Sequence, residues 1–298
     1  MTDEKVQGTV LSTDGTKIHY EAIGSGRPLI FCYGIVCNKE QWKYQTKFFK
    51  KNYRIIHFDY RGHNLSKSPK KPSHLTIKGC AQDLASVMKE LNIDQAVLLG
   101  HSMGVNVILQ FYDLFPQKVS ALISICGTVK NPFETMFHTN LSQAGFEFLK
   151  LIYLKFPKQF PKLWEKSVTS HTGQFLTSIL GFNVKFTHKK DIQNYLQGVS
   201  HQPVDTFFYF LQEMADFKGD KILKKISVPT LIMGGSNDLI TPIQNQYYLY
   251  RKIPNAQFLK IPQGSHCAHI DMPELVNLRI EKFLKEIDSP LPLRQGNR

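Results

Sequence analysis

Gly100-His101-Ser102-Met103-Gly104 follows the apolar run Ala96-Val97-Leu98-Leu99 and opens a stretch with helical spacing from Met103 to Phe115. A G-x-S-x-G run in that setting predicts a sharp strand-to-helix turn that lifts a serine hydroxyl above the end of a sheet. Gly100 and Gly104 leave the room a Cβ would fill, and Ser102 is expected in a sparsely populated backbone conformation. The helix start would aim the Met103 N–H, with the positive end of the helix dipole, at negative charge developing on a substrate oxygen. The bland alternative is an ordinary glycine turn, and the strand and helix on either side argue against it.

A serine hydroxyl is a poor nucleophile until a base takes its proton, and the base needs an acid to orient it. The elbow chemistry predicts the chain order Ser, then Asp or Glu, then His. The acid candidate is Asp238, in Gly234-Gly235-Ser236-Asn237-Asp238 after the strand-like Pro229–Met233. Read alone, Asp238 could equally be a turn or capping residue. The base candidate is His266, on the loop that leaves the strand-like Gln257–Ile261 directly after Gly264-Ser265. His269 competes, but it lies nearer the last helix, where it would pack or be solvated. Asp271 precedes Glu274 by three residues, the spacing of a capping box, which assigns it a structural role.

Working outward, short β-rich runs alternate with helical stretches. Lys17–Ala22, Pro28–Tyr33, Tyr53–Phe58, Gln95–Leu99 and Val119–Ile125 read as strands; about 41–50, 75–91 and 103–115 read as helices. This alternation predicts an α/β fold, a mostly parallel twisted sheet flanked by helices. From 131 to 225 aromatic and basic residues dominate and β-rich runs are scarce, so a helical cap inserted into the sheet domain is expected. The alternation resumes after 225, which assigns 1–130 and 226–288 to the core and leaves 289–298 as a frayed tail.

These residues strongly resemble the α/β-hydrolase superfamily, specifically its cap-bearing esterase- and lipase-like members. Besides the candidate triad, Asp59-Tyr60-Arg61-Gly62-His63-Asn64-Leu65-Ser66 is similar to the family's D-x-R-G-h-G-x-S loop, and Trp42 and the block Tyr53–Asp59 also match. Asp271 and Pro273 stand at the family's offsets from its final histidine, which favours His266 over His269. The resemblance implies an α/β-hydrolase fold and a second oxyanion donor in the Ile35 N–H, reached because Gly34 lets its loop turn. Two positions depart from the pattern: Tyr33-Gly34 stands where His-Gly is usual, and Asn64 replaces a glycine. Asn tolerates positive φ, so the turn at Asn64 is expected to survive. The resemblance also implies that Ser102 excludes the haloalkane dehalogenases and epoxide hydrolases, which carry aspartate at the elbow. Serine leaves acyl transfer, a carboxylic ester first, with thioesterase and interfacial lipase or lysophospholipase activity as alternatives. A member that binds ligand without catalysis is the reading from another class.

In the cap, Phe146–Lys166 interleaves large apolar residues with lysines. One reading packs its apolar face onto the core and cleft; the other lays it on an anionic membrane surface. Pro157 and Pro161 are expected to break the stretch into short helices. Phe207–Leu211 is expected to face the same cleft, giving a small apolar acyl substrate as partner. His138, His171, His188 and His201 lack metal-ligand spacing, and no nucleotide motif occurs, so neither metal nor cofactor is implied.

Composition excludes further classes. In 298 residues, 42% hydrophobic and 20% charged, there is enough apolar surface for a core. The longest apolar runs are strand-length, far short of the ~20 residues a membrane span needs. The polar start Met1–Lys5 shows no signal-peptide pattern, and five scattered cysteines without CxxC spacing read as reduced thiols in a cytoplasmic protein. The formal charge of +13 is spread over separated lysines without a nucleic-acid-binding motif, so no specific nucleic-acid partner is expected.

Overall fold

The strands at the centre of the molecule are continuous apolar runs, as a parallel sheet covered by helices on both faces demands. A computed structural model describes residues 5–139 and 141–289. The chain runs β1 (Lys5–Leu11), β2 (Lys17–Ile23), β3 (Pro28–Cys32), α1 (Lys43–Phe49), β4 (Arg54–Phe58), α2 (Ile77–Glu90), β5 (Ala96–His101), α3 (Met103–Leu114) and β6 (Val119–Ile125). Helices follow: α4 (Leu141–Lys155), α5 (Phe160–Thr169), α6 (His171–Gly181), α7 (Lys189–Ser200), α8 (Val204–Asp216) and α9 (Asp220–Leu223). The chain then returns to the sheet with β7 (Thr230–Gly235), α10 (Ile243–Lys252), β8 (Gln257–Ile261), α11 (Ala268–Asp271) and α12 (Pro273–Asp288). Between β6 and β7 the described residues form helices and turns, with no strand.

The eight strands are ordered β1-β2-β4-β3-β5-β6-β7-β8, antiparallel at β1-β2 and β2-β4 and parallel elsewhere. Connections from β3 and β5 leave in opposite directions, so a crevice opens at the carboxyl ends of these two neighbours. Their register pairs Cys32 with Gly100, which brings the loops after both strands out level. On the other side Gly235 pairs with Ile261, so the loops after β7 and β8 also emerge together. The sheet therefore gathers four loops along one edge.

Sequence and structure differ in detail. The strand β1 is absent from the sequence reading because it is an edge strand with most of its residues exposed, so its apolar pattern is weak. Pro157 falls in the connection between α4 and α5, but Pro161 sits in the first turn of α5, where its missing N–H costs nothing. The tail reading falls outside the described residues apart from Ser289, and the reading of Met1–Lys5 falls outside them apart from Lys5.

The Asp59–Ser66 loop is fastened to α2 by a buried ion pair. Arg61 donates through Nε and Nη2 to the two Asp83 carboxylate oxygens at 2.8 and 2.7 Å, and its Nη1 reaches the His74 carbonyl at 2.8 Å. Both partners are almost wholly buried. Asp83→Ala removes the fully buried counter-charge and leaves the guanidinium only the more exposed Asp14, 3.0 Å from Nη1, so stability is expected to fall by about 3 kcal/mol, the low end for a broken buried pair, read from the urea midpoint. An unchanged midpoint would show that the pair holds nothing in place.

Candidate active site

Ser102 sits at the turn between β5 and α3 with φ 53° and ψ −120°, a conformation side chains rarely adopt. Its N–H donates to the Ile125 carbonyl at 3.1 Å and its carbonyl accepts from Val105 N–H at 2.9 Å, so sheet and helix both hold the turn. The flanking glycines are required by space. A Cβ on Gly104 would stand 2.1 Å from the Cys32 carbonyl oxygen, and one on Gly100 would stand 2.5 Å from the Gly104 oxygen.

Asp238 follows β7 and is buried. Its Oδ1 accepts the Ile240 and Thr241 N–H groups at 2.9 and 2.8 Å. The His266 Nδ1 lies 3.1 and 3.0 Å from its two oxygens. A carboxylate only accepts, so Nδ1 carries the proton and Nε2 is left free to take one. The Thr241 hydroxyl stands 2.8 Å from both Asp238 Oδ2 and the Cys126 carbonyl and donates to one of them. Ser102 and His266 line one cavity. No hydrogen bond joins the serine hydroxyl to the imidazole among the described residues; such contacts often tighten only when substrate is bound.

The loop after β3 leaves the Ile35 amide open. Gly34 N–H donates to Gln41 Oε1 at 2.9 Å, Val36 N–H to His63 Nε2 at 3.2 Å, and Cys37 N–H to the Gly34 carbonyl at 3.3 Å. Ile35 N–H has no acceptor among the described residues, and Ile35 lines the cavity. Met103 N–H is the first of α3 and has no partner within the helix. The sequence reading gave the turn to Gly34, whereas the left-handed residue is Val36, at φ 50°. The Gly34 contribution is close approach: a Cβ there would lie 3.2 Å from His101 Nδ1.

Three histidines pack together here. The His101 ring lies 4.9 Å from His266 and 4.4 Å from His269, and His269 rests against Trp42 at 4.8 Å. His101 Nε2 donates to the His266 carbonyl at 2.8 Å, bracing the loop that carries the imidazole. Burial holds His101 well below the usual histidine range, and burial also pushes His269 down to about 3. Both stay neutral. Among the described residues neither His269 ring nitrogen has a hydrogen-bond partner, and His269 is not on the cavity wall.

The cavity measures about 660 Å³. Phe133, Phe146, Leu149, Leu180, Leu211 and Met214 contribute to its wall, and among the described residues no Asp, Glu, Lys or Arg does. The aromatic run 207–211 does not face it as a block. Phe207 and Leu211 do, Phe208 and Phe210 are buried in the core, and Tyr209 is exposed, as helical spacing in α8 dictates. Asp271 also differs from its expected capping role. It is buried and accepts from Ser265 N–H and Oγ at 2.7 and 2.6 Å, Thr187 Oγ1 at 2.5 Å and Asn183 N–H at 3.1 Å. It ties the His266 loop to the segment between α6 and α7. Sequence reasoning missed His101 and Thr241 as supports; the only signal was a histidine and a threonine placed next to Ser102 and three after Asp238.

Comparison with known proteins agrees with this architecture. The family model described as alpha/beta hydrolase fold matches residues 27–273. Epoxide hydrolase 1 of Caenorhabditis elegans is 28% identical over 281 residues, covering 91% of this chain and 68% of that protein. Among solved structures, a thermophilic esterase from Thermogutta terrifontis superposes with a TM-score of 0.78 at 23% identity, over 96% of this chain and 100% of its own. An esterase from Exiguobacterium antarcticum gives 0.73 at 21% identity, over 94% and 99%.

The buried histidines make acid lability a consequence of the site. Between pH 6.5 and about 3 the unfolded chain takes up a proton at His269 that the folded chain refuses, so stability is lost as pH falls. His269→Phe removes that loss: from pH 6 to 4 the variant is expected to lose up to about 1.4 kcal/mol less per pH unit than wild type. Parallel melting curves for the two proteins would contradict this.

Proposed function

The chain belongs to the alpha/beta hydrolase fold family, and from that premise we propose a serine hydrolase that cleaves uncharged carboxylic esters through an acyl-enzyme. One observation carries the reading. A serine on a strained strand-to-helix turn shares an apolar cavity with an imidazole whose far nitrogen is hydrogen-bonded to a buried carboxylate.

In this reading Ser102 Oγ attacks the acyl carbonyl while His266 Nε2 takes its proton. Asp238 holds the imidazole by Nδ1 and stabilises the imidazolium. The oxygen that becomes negative is met by the Ile35 and Met103 N–H groups. His266 then gives its proton to the leaving alkoxide, and the acyl group stays on Ser102 as an ester. A water molecule, deprotonated by His266, attacks that ester and releases the acid, and the imidazolium returns its proton to the departing Ser102 Oγ. His101 and His269 are held neutral beside His266, so no second imidazolium forms next to it.

The relative named as an epoxide hydrolase does not redirect this reading. A carboxylate that opens an epoxide forms an ester, which water can cleave at its carbonyl. A serine oxygen that opened one would form an ether with no carbonyl to attack, and turnover would stop there. The uncharged wall favours a short to medium apolar acyl group, and a charged one would lose hydration without finding a partner.

A panel of p-nitrophenyl esters from acetyl upward, with a fluorophosphonate label, tests the proposal. Wild type is expected to label and turn over. Ser102→Ala is expected to lose labelling and at least about 10³-fold in kcat, with His266→Gln close behind and His269→Phe near wild type. Full activity in Ser102→Ala, preference for a charged acyl group, or a wild type inert to label and panel alike would overturn it.

A further inference from the structure

The inserted helices leave an apolar surface uncovered at the mouth of the cavity. Thirteen of the twenty-two large apolar side chains exposed among the described residues fall between Phe137 and Phe186. In α4, Leu141, Phe148 and Leu151 are 74%, 63% and 63% exposed. They stand seven and three residues apart, on one stripe of the helix. The opposite stripe is already used: Phe146 and Tyr153 pack on Phe208 with ring centroids at 5.7 and 5.2 Å. Between the two stripes Ser142, Gly145 and Leu149 line the cavity, and Leu141 reaches it from the exposed stripe. Helix α6 repeats the division, with Thr177, Leu180 and Gly181 on the cavity wall and Phe175, Leu176 and Ile179 exposed.

Charge identifies what covers this surface. Residues 141–188 hold six lysines against two acidic residues, Glu147 and Glu165, in a chain of formal charge +13. Lys155, Lys158, Lys162 and Lys166 are exposed and follow directly on the α4 stripe. The Lys155 ammonium lies 5.7 Å from the Phe156 ring centroid, with an apolar stem that can lie along the surface while its head stays wet. A second copy docked face to face would set these lysines against each other. An anionic lipid surface offers hydrocarbon to the stripe and phosphates to the lysines. No described helix is long and apolar enough to cross a membrane, so such contact is peripheral.

We propose that the exposed faces of α4 and α6, with the lysines of α5 and its approach, form a docking surface for anionic lipid bilayers and set the cavity mouth against the bilayer. That acyl substrates then enter from the lipid rests on the esterase reading; the docking does not.

Vesicle flotation of the full chain reads docking without turnover. Wild type is expected to float with mixed phosphatidylcholine–phosphatidylglycerol vesicles at least about tenfold better than with phosphatidylcholine alone, and less so in high salt. Phe148→Glu/Leu151→Glu is expected to lower flotation about tenfold or more while leaving the melting temperature and turnover of a short soluble ester unchanged. Lys158→Glu/Lys162→Glu, on the exposed surface, should remove the preference for anionic vesicles and supplies the test if the first variant fails to fold. Equal weak flotation with both vesicle types, or lysine and stripe variants that float as wild type does, would overturn the proposal. So would a concentration-dependent dimer that Phe148→Glu/Leu151→Glu dissolves in a protein that does not float.

Discussion

Everything around the cavity depends on α3 beginning in contact with the end of β3. Cys32 and Gly100 are paired in the sheet, so the two strands end level, and Gly104 lies close enough to the Cys32 carbonyl that a single methyl group could not be admitted. This approach brings the start of α3, at Met103, up to the end of β3, from which the loop carrying Ile35 leaves; the proposed hydrolysis needs the N–H groups of those two residues. Two donors converge on one oxygen only within a few tenths of an ångström, because useful bonds to an oxyanion span roughly 2.7–3.1 Å. The register supplies the coarse position and the absence of a side chain supplies the fine one.

The imidazole is fixed from several sides rather than by its carboxylate alone. His101 holds the His266 carbonyl, and Asp271 takes both the N–H and the hydroxyl of Ser265. Cys267 N–H reaches the Gly181 carbonyl at the end of α6. A ring held this way has little orientational freedom left to lose in the proton transfers proposed for it.

Legibility in the sequence followed burial and range. The strands β3, β5, β6 and β7 are buried almost throughout, so each is a continuous apolar run that could be read directly. The exposed edge strand β1 offers no such run. Ser102, Asp238 and His266 were legible because each stands in a turn whose glycines and chain order carry information locally. His101 was not, because its hydrogen bond joins residues 165 positions apart. Asp271 was misread for the same reason: a local spacing that fits a capping box was overridden by Ser265, Thr187 and Asn183, which only the folded chain brings to it.

The two departures from the family pattern are one feature in the folded chain. The Tyr33 hydroxyl accepts the Tyr60 N–H at 3.0 Å and stands 3.3 Å from both Asp59 Oδ1 and Asn64 Nδ2. Asn64, left-handed at φ 48°, also donates to the Cys37 carbonyl at 3.0 Å and to Asp59 at 3.2 Å. A glycine at 64 would keep the turn but leave the Cys37 carbonyl without that donor. Gln202, between α7 and α8, completes the group: Asn64 N–H donates to its Oε1 at 3.1 Å and its Nε2 donates to Asn64 Oδ1 at 2.5 Å. The loop that presents Ile35 N–H is therefore braced on the inserted helices as well as on the sheet. That bracing opposes the strain of a β-branched residue, Val36, at positive φ, a conformation that persists only where its surroundings over-determine it.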